Sequence, residues 1–192
     1  MKKLMLLTLA TLFSLNIIAQ NGIKKGSDAP VFTAVDNTGK TVDLKAVLKT
    51  HKAVLLFFYR GQWCPYCNKQ MQHLQDSLTL LTQRGVYVVG VSPETEENIG
   101  KTVTKTHATF SLISDKGYRI MKAYDVNYTM DAGMVTKYKT YGVDLEANNG
   151  NTDHMLPVPA TYLINKAGKI TFAHFDKDYK KRATVAEIIA AM

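Results

Sequence analysis

The sequence predicts an α/β domain with a mixed central β-sheet flanked by helices. Three observations lead there. Residues 53–59 and 86–91 are continuous apolar runs rich in β-branched and aromatic side chains, the pattern of strands buried on both faces. Helical periodicities follow each of them, so strand and helix alternate as they do in parallel α/β sheets. A terminal hairpin pattern and a closing helix then add antiparallel strands to that sheet.

Taken in order, residues 1–19 stand apart. Lys2 and Lys3 precede an uncharged apolar run from Leu4 to Ile18, and Ala19 offers a small residue for cleavage. This reads as a secretory signal peptide, so the expected mature domain is 20–192, in the periplasm or secreted. The run is shorter than the ~20 residues a membrane span needs, so no stable membrane insertion is expected. Cleavage would lower the formal charge from +8 to +6. The remaining basic residues are scattered apart from Lys177, Lys180, Lys181 and Arg182, which read as a solvated face. No aromatic–basic motif accompanies them, and no nucleic-acid partner is expected.

Residues 31–35 and 41–44 read as short strands around a turn at 36–40. Its Gly39-Lys40-Thr41 falls short of a phosphate loop, because Ala34 stands where the first glycine belongs. After the 53–59 strand, Met71, Leu74, Leu78 and Leu81 share one face of a helix expected over 65–84, closed by Gly85. The 86–91 strand leads into a helix ending near Thr106, with Thr95 as its cap. A strand at 110–113, a short helix at 115–124, a hairpin of 161–164 with 169–174, and a helix at 184–192 complete the pattern. Residues 127–154 interrupt it. Their Tyr128, Met130, Met134, Tyr138, Tyr141 and Leu145 are too apolar for a disordered linker, and a partly helical flap beside the cysteines is expected.

Cys64 and Cys67 are the two cysteines of the chain. They lie where the first buried strand turns into a helix, so they bond each other, bond another molecule, or stay reduced. A helix starting at Pro65 makes Cys64 its N-cap, where free amides and the helix dipole favour thiolate over thiol. Cys67, one turn on, is placed to attack an oxidised Cys64. Arg60 is a candidate to stabilise the thiolate or polarise an incoming oxygen, and Trp63 to cover one flank. A structural disulfide would close too short a loop to stabilise much. A zinc site would need further ligands, and His51, His73, His107, His154 and His174 lack a paired spacing. The chemistry therefore calls for no cofactor. Val158 and Pro159 precede a β-rich run; a cis bond between them would present backbone to an extended substrate beside the sulfurs.

Several segments together resemble one family. Tyr-Arg-Gly-x-Trp-Cys-Pro-Tyr-Cys at 59–67 is followed by Val-Ser-Pro-Glu-Thr at 91–95 and Leu-Ile-Ser-Asp-Lys-Gly at 112–117. Tyr-Gly-Val-Asp-Leu-Glu-Ala at 141–147, Leu-Pro-Val-Pro-Ala-Thr-Tyr-Leu-Ile-Asn at 156–165 and an Asp176-x-Asp178-Tyr179-x-x-Arg182 tail complete the set. The combination is similar to the peroxiredoxin-like branch of the alkyl hydroperoxide reductase / thiol-specific antioxidant (AhpC/TSA) family. That resemblance implies a thioredoxin-like fold and a thiol-dependent peroxidase using a hydroperoxide substrate and a thioredoxin-like dithiol reductant. The alternative it leaves is an exported thiol–disulfide oxidoreductase acting on protein disulfides; a non-catalytic domain with a structural disulfide is a third class. The family's Pro-x-x-x-Thr-x-x-Cys pattern is altered. Aligned through Cys67, Arg60 and Cys64 replace its proline and threonine; aligned through Cys64, Phe57 and Gly61 do. Pro159 stands where the family places an arginine.

Overall fold

The computed structural model describes residues 22–192; the expected signal peptide lies outside the described residues. A five-stranded sheet organises the chain in the order β5-β4-β3-β8-β9. Its strands are β3 (Ala53–Phe58), β4 (Val86–Ser92), β5 (Ser111–Ser114), β8 (Ala160–Asn165) and β9 (Ile170–Phe175). The β3, β4 and β5 strands run parallel, whereas β8 and β9 are antiparallel to their neighbours, which makes the sheet mixed.

The central strand shows why the apolar run is continuous. Alternate side chains Val54, Leu56 and Phe58 enter one core with Tyr124 and Tyr162, while Leu55, Phe57 and Tyr59 enter the opposite core. Both faces are covered, so both parities must be apolar. Each such buried side chain contributes about 1.5–3 kcal/mol relative to exposure. The second core also holds Cys64, Cys67, Met71 and Leu74, and this welds the helix carrying the cysteines to the sheet.

That helix, α2 (Pro65–Asp76), ends earlier than the periodicity suggests. Ser77 leaves helical geometry, and α3 (Leu78–Gln83) resumes the same buried face through Leu81. On the other side of the sheet lies α1 (Leu44–Thr50), which the sequence reading left unassigned; Asp43 caps it by accepting from Ala46 N at 2.7 Å. Asp36 accepts from the amides of Thr38 and Lys40, so the region around Gly39 is the expected turn between β1 (Thr33–Val35) and β2 (Thr41–Asp43). The helix α4 (Glu96–Thr106) has Thr95 as its cap, as expected, and α5 (Arg119–Ala123) and α8 (Val185–Ala190) occupy the segments expected to be helical.

The 127–154 stretch is ordered structure. It contains β6 (Asn127–Thr129), α6 (Ala132–Thr140) and α7 (Leu145–Asn149). The β6 strand pairs antiparallel with β7 (Met155–Pro157), and a small third core forms around Met130, Leu145 and Leu156. Trp63 and Tyr138 pack against that core, which seats the insert beside the cysteines. Tyr141 departs from the expectation: it is 74% exposed and plays no part in this packing.

Candidate active site

Cys64 is the N-cap of α2, in extended geometry, with proline at the start of the helix. Its Sγ accepts from Cys67 N at 3.3 Å, and its own N–H donates to Gly61 O at 3.0 Å. The sulfur thus sits where helix amides converge, an environment that stabilises negative charge. Cys64 and Cys67 are joined as a disulfide, with Cα atoms 5.3 Å apart. Both residues are 0% exposed.

Arg60 caps one side of the pair. Only 3% exposed, it directs Nη2 to Cys64 Sγ at 3.5 Å and Nη1 to Tyr138 Oη at 3.1 Å. Aromatic rings hold its guanidinium: Tyr179 at 3.8 Å and Trp63 at 4.9 Å from ring centroid to Cζ. Trp63 in turn meets Tyr138 edge-on at 5.5 Å. Burial pushes the Tyr128 phenol up, and the nearby Arg60 opposes that shift. The insert therefore supplies a wall of the site, as anticipated for Tyr138.

The sequence reading missed the second cation. Arg182, assigned there to a solvated basic face, is half-buried; Lys177, Lys180 and Lys181 are exposed as expected. Its Nη2 lies 3.3 Å from Cys67 Sγ and 3.9 Å from Cys64 Sγ. Burial first, and then the Arg60 charge, lower its pKa to about 10, so it remains a cation at neutral pH. The Asp176-x-Asp178-Tyr179-x-x-Arg182 segment was the available signal, since it folds back over the site, Tyr179 onto Arg60 and Arg182 onto the cysteines.

Glu94, within the Val-Ser-Pro-Glu-Thr segment, is the other unanticipated group. Its carboxyl is 0% exposed and accepts from Gln62 N at 2.6 Å and from Thr102 Oγ1 at 3.0 Å. Burial raises its pKa, with those hydrogen bonds acting against the shift. Glu94 thereby braces the loop that delivers Trp63 and Cys64. Gly61 in that loop has φ +152°, and a Cβ there would meet Trp63 Nε1 at 2.5 Å and Glu94 Oε1 at 3.1 Å. Only glycine suits both the backbone angle and the space.

The Val158–Pro159 loop requires a correction. No cis peptide bond occurs among the described residues, so Val158–Pro159 is trans. The expected backbone edge is also taken: Val158 N donates to Val126 O at 2.7 Å, and β6 lies along β7. The insert's own chain fills the place envisaged for an extended substrate. Pro159 is buried, one residue before β8, whose Thr161 pairs with Phe57 and accepts from Gln70 Nε2 at 3.2 Å. This register sets Pro159 at the end of the sheet from which the cysteine loop departs. His154 bonds Glu146 at 3.0 Å.

A cysteine pair at the N-cap of the helix that follows the central strand of such a mixed sheet defines a dithiol redox protein of thioredoxin-like fold. Comparison with known proteins makes the family explicit: the AhpC/TSA family profile matches residues 25–173, and the chain belongs to that family. It is similar to the thiol-disulfide oxidoreductase ResA of Bacillus subtilis, with 26% identity over 83% of this chain and 72% of that protein. It is also similar to the chloroplastic peroxiredoxin Q of Sedum lineare, with 31% identity over 64% of each; the match spans just under two thirds of that relative's length. The crystal structure of the peroxidoxin BcpB from Mycobacterium tuberculosis shares the fold, with a TM-score of 0.66 at 19% identity over 88% of this chain and 94% of that one.

Proposed function

We propose that this protein is a thiol-dependent peroxidase of the peroxiredoxin type, cycling through Cys64 and Cys67. The Cys64 thiolate attacks the outer oxygen of a hydroperoxide, the O–O bond breaks, and the alkoxide leaves and takes up a proton. Cys64 is then a sulfenic acid. The Cys67 thiolate attacks Cys64 Sγ, hydroxide departs and is protonated to water, and the disulfide forms. An external dithiol donor of thioredoxin type reduces it again.

The observation that carries this reading is the Arg60 guanidinium 3.5 Å from Cys64 Sγ, at the helix start. A fixed cation at that distance favours the thiolate before attack and the developing oxyanion during it. Membership of the AhpC/TSA family and the likeness to peroxiredoxin Q support it further. Trp63, packed against Arg60, walls the side from which a small hydroperoxide would approach, whereas the edge at Val158 and Pro159 is filled by the protein's own chain. The basic start and apolar run of residues 1–19 support export to the periplasm or beyond.

A second reading, a thiol–disulfide oxidoreductase acting on protein disulfides, is favoured by Pro159 where the family pattern has arginine, and by the likeness to ResA. Paired assays on the reduced protein separate the two. The peroxidase reading expects rapid hydroperoxide consumption with slow reduction of a test protein's disulfides. Fast disulfide reduction with hydroperoxide consumption no faster than free cysteine's would replace it with the second reading.

A further inference from the structure

Arg182 has no role in the cycle just described, yet it makes the most direct cationic contact with the sulfurs. It arrives from 115 residues beyond Cys67, at the end of the segment immediately before Ala183 and α8. Its Nη2 bonds Cys67 Sγ at 3.3 Å, closer than its 3.9 Å approach to Cys64 Sγ. Arg60 contacts Cys64 Sγ instead. Each sulfur thus has its own guanidinium.

Among the described residues, no carboxylate lies within ion-pair distance of either guanidinium. Nε and Nη1 of Arg182 are buried without a hydrogen-bond partner. Asp178 acts on Arg182 from a distance and offsets part of the cost of holding it beside Arg60, but closes no ion pair with it, so the two cations flanking the neutral disulfide are stabilised further when negative charge appears between them. Breaking the disulfide supplies that charge at the sulfurs themselves.

We propose that Arg182 is a catalytic residue of the reductive half of the cycle, holding Cys67 as the leaving thiolate when an external dithiol attacks Cys64. This rests on the dithiol cycle proposed above. A donor thiolate attacks Cys64 Sγ, a donor–Cys64 disulfide forms, and the Cys64–Cys67 bond breaks with its electron pair going to Cys67 Sγ. Arg182, already 3.3 Å from Cys67 Sγ in the disulfide, is placed to neutralise that sulfur as it leaves. The donor's second thiol gives its proton to solvent and attacks the donor's own sulfur in the mixed disulfide. Cys64 is released as a thiolate beside Arg60, and the donor leaves oxidised.

Two consequences follow from thiol–disulfide chemistry. A leaving thiolate of lower pKa departs faster, and a stabilised reduced form makes the disulfide easier to reduce. Arg182 therefore speeds reduction and biases the pair toward dithiol. Tyr179, stacked on Arg60 and in edge contact with Tyr66 at 5.7 Å, ties the same segment over the pair and fixes where Arg182 emerges.

The test is the dithiol–disulfide equilibrium of the full chain in reduced and oxidised dithiothreitol at fixed pH, for Arg182→Met and Arg182→Lys. The expected result is an equilibrium shifted at least tenfold toward the disulfide in Arg182→Met, about 30 mV for a two-electron couple, with most of the shift recovered by Arg182→Lys. If Arg182→Met fails to fold, judged by its thermal transition, Arg182→Gln takes its place with the same expected shift. A smaller shift, a shift toward dithiol, or a Lys variant as displaced as the Met variant overturns the proposal. The readout needs no hydroperoxide. A shift found in a protein without peroxidase turnover therefore leaves Arg182 in its role and removes the peroxidase reading, and turnover without the shift does the reverse.

Discussion

Replacing Arg60 by methionine removes one charge while keeping much of the side chain's length within the Trp63–Tyr179 clasp. Arg60 Nη2 is 3.5 Å from Cys64 Sγ, a separation at which unit charges in an effective dielectric of about 20 interact by about 5 kcal/mol. That figure is a ceiling, because desolvation and the second guanidinium reduce it; a cation this close shifts a neighbouring acid by about 1–3 pK units. The Cys64 thiol of the wild type should titrate below the ~8.5 of a free cysteine, and that of Arg60→Met correspondingly higher. Thiolate is lost as pH falls through the thiol's pKa, so the variant loses reactivity at a higher pH than the wild type. Loss of the same cation from the developing oxyanion adds to the effect. Hydroperoxide reduction near neutral pH should fall by more than about tenfold, toward the 10²–10³ seen when one preorganised donor is removed, and reduction of the disulfide should fall by less. Trp63, the single tryptophan of the chain, lies against Arg60, so its fluorescence in stopped flow reports the oxidation directly. An oxidation rate within twofold of wild type, with an unchanged pH profile of alkylation, would show that Arg60 stabilises neither the thiolate nor the oxyanion.

Other perturbations separate the remaining roles. Cys67→Ser should leave Cys64 as a sulfenic acid or a mixed disulfide, visible as a mass increase after one equivalent of hydroperoxide; wild-type turnover by this variant would show that an outside thiol resolves the intermediate. Glu94 has its folded pKa raised above the ordinary 4.5, chiefly by burial, so the folded state holds its proton more tightly than the unfolded state does. Its ionisation therefore costs stability as pH rises from about 4.5 through the folded pKa, and the cost is complete above it. Glu94→Gln should remove this pH dependence, measured as unfolding free energy at pH 5 and pH 8, whereas Glu94→Ala should lose about 1–3 kcal/mol at both by orphaning Gln62 N–H; equal pH slopes in wild type and Glu94→Gln would contradict the assignment.

The parts of this architecture that are local in sequence were legible. Residues 53–59 need both parities apolar because both faces of β3 are covered, and Pro65 after Cys64 marks a helix start wherever the chain goes next. The helix break at Ser77 was not legible, since Met71, Leu74, Leu78 and Leu81 keep one period across it, with Met71 and Leu74 buried before the interruption and Leu81 after it. The α1 helix is seven residues long, too short for periodicity to outweigh its neighbours. Among site residues, Cys64, Cys67, Arg60 and Trp63 lie within eight positions, so one turn of chain brings them together. Arg182 and Glu94 reach the same place through tertiary folding, and in the sequence Arg182 is one more basic residue after Lys180 and Lys181. Tyr138 was anticipated because an apolar insert has to bury its surface somewhere. Pro159 is trans, and β6 fills the edge that the residues around it left open in the sequence, a long-range pairing that local spacing does not reveal.

In the proposed cycle Cys64 reduces the hydroperoxide and Cys67 closes the disulfide. Titrating the reduced protein with a hydroperoxide, under anaerobic conditions and without any added reductant, tests it most directly. The expected result is consumption of one equivalent per protein, with loss of both free thiols and appearance of the Cys64–Cys67 disulfide by peptide mass at a rate far above that of free cysteine. Consumption at the rate of free cysteine, with both thiols still titratable after one equivalent, would contradict it.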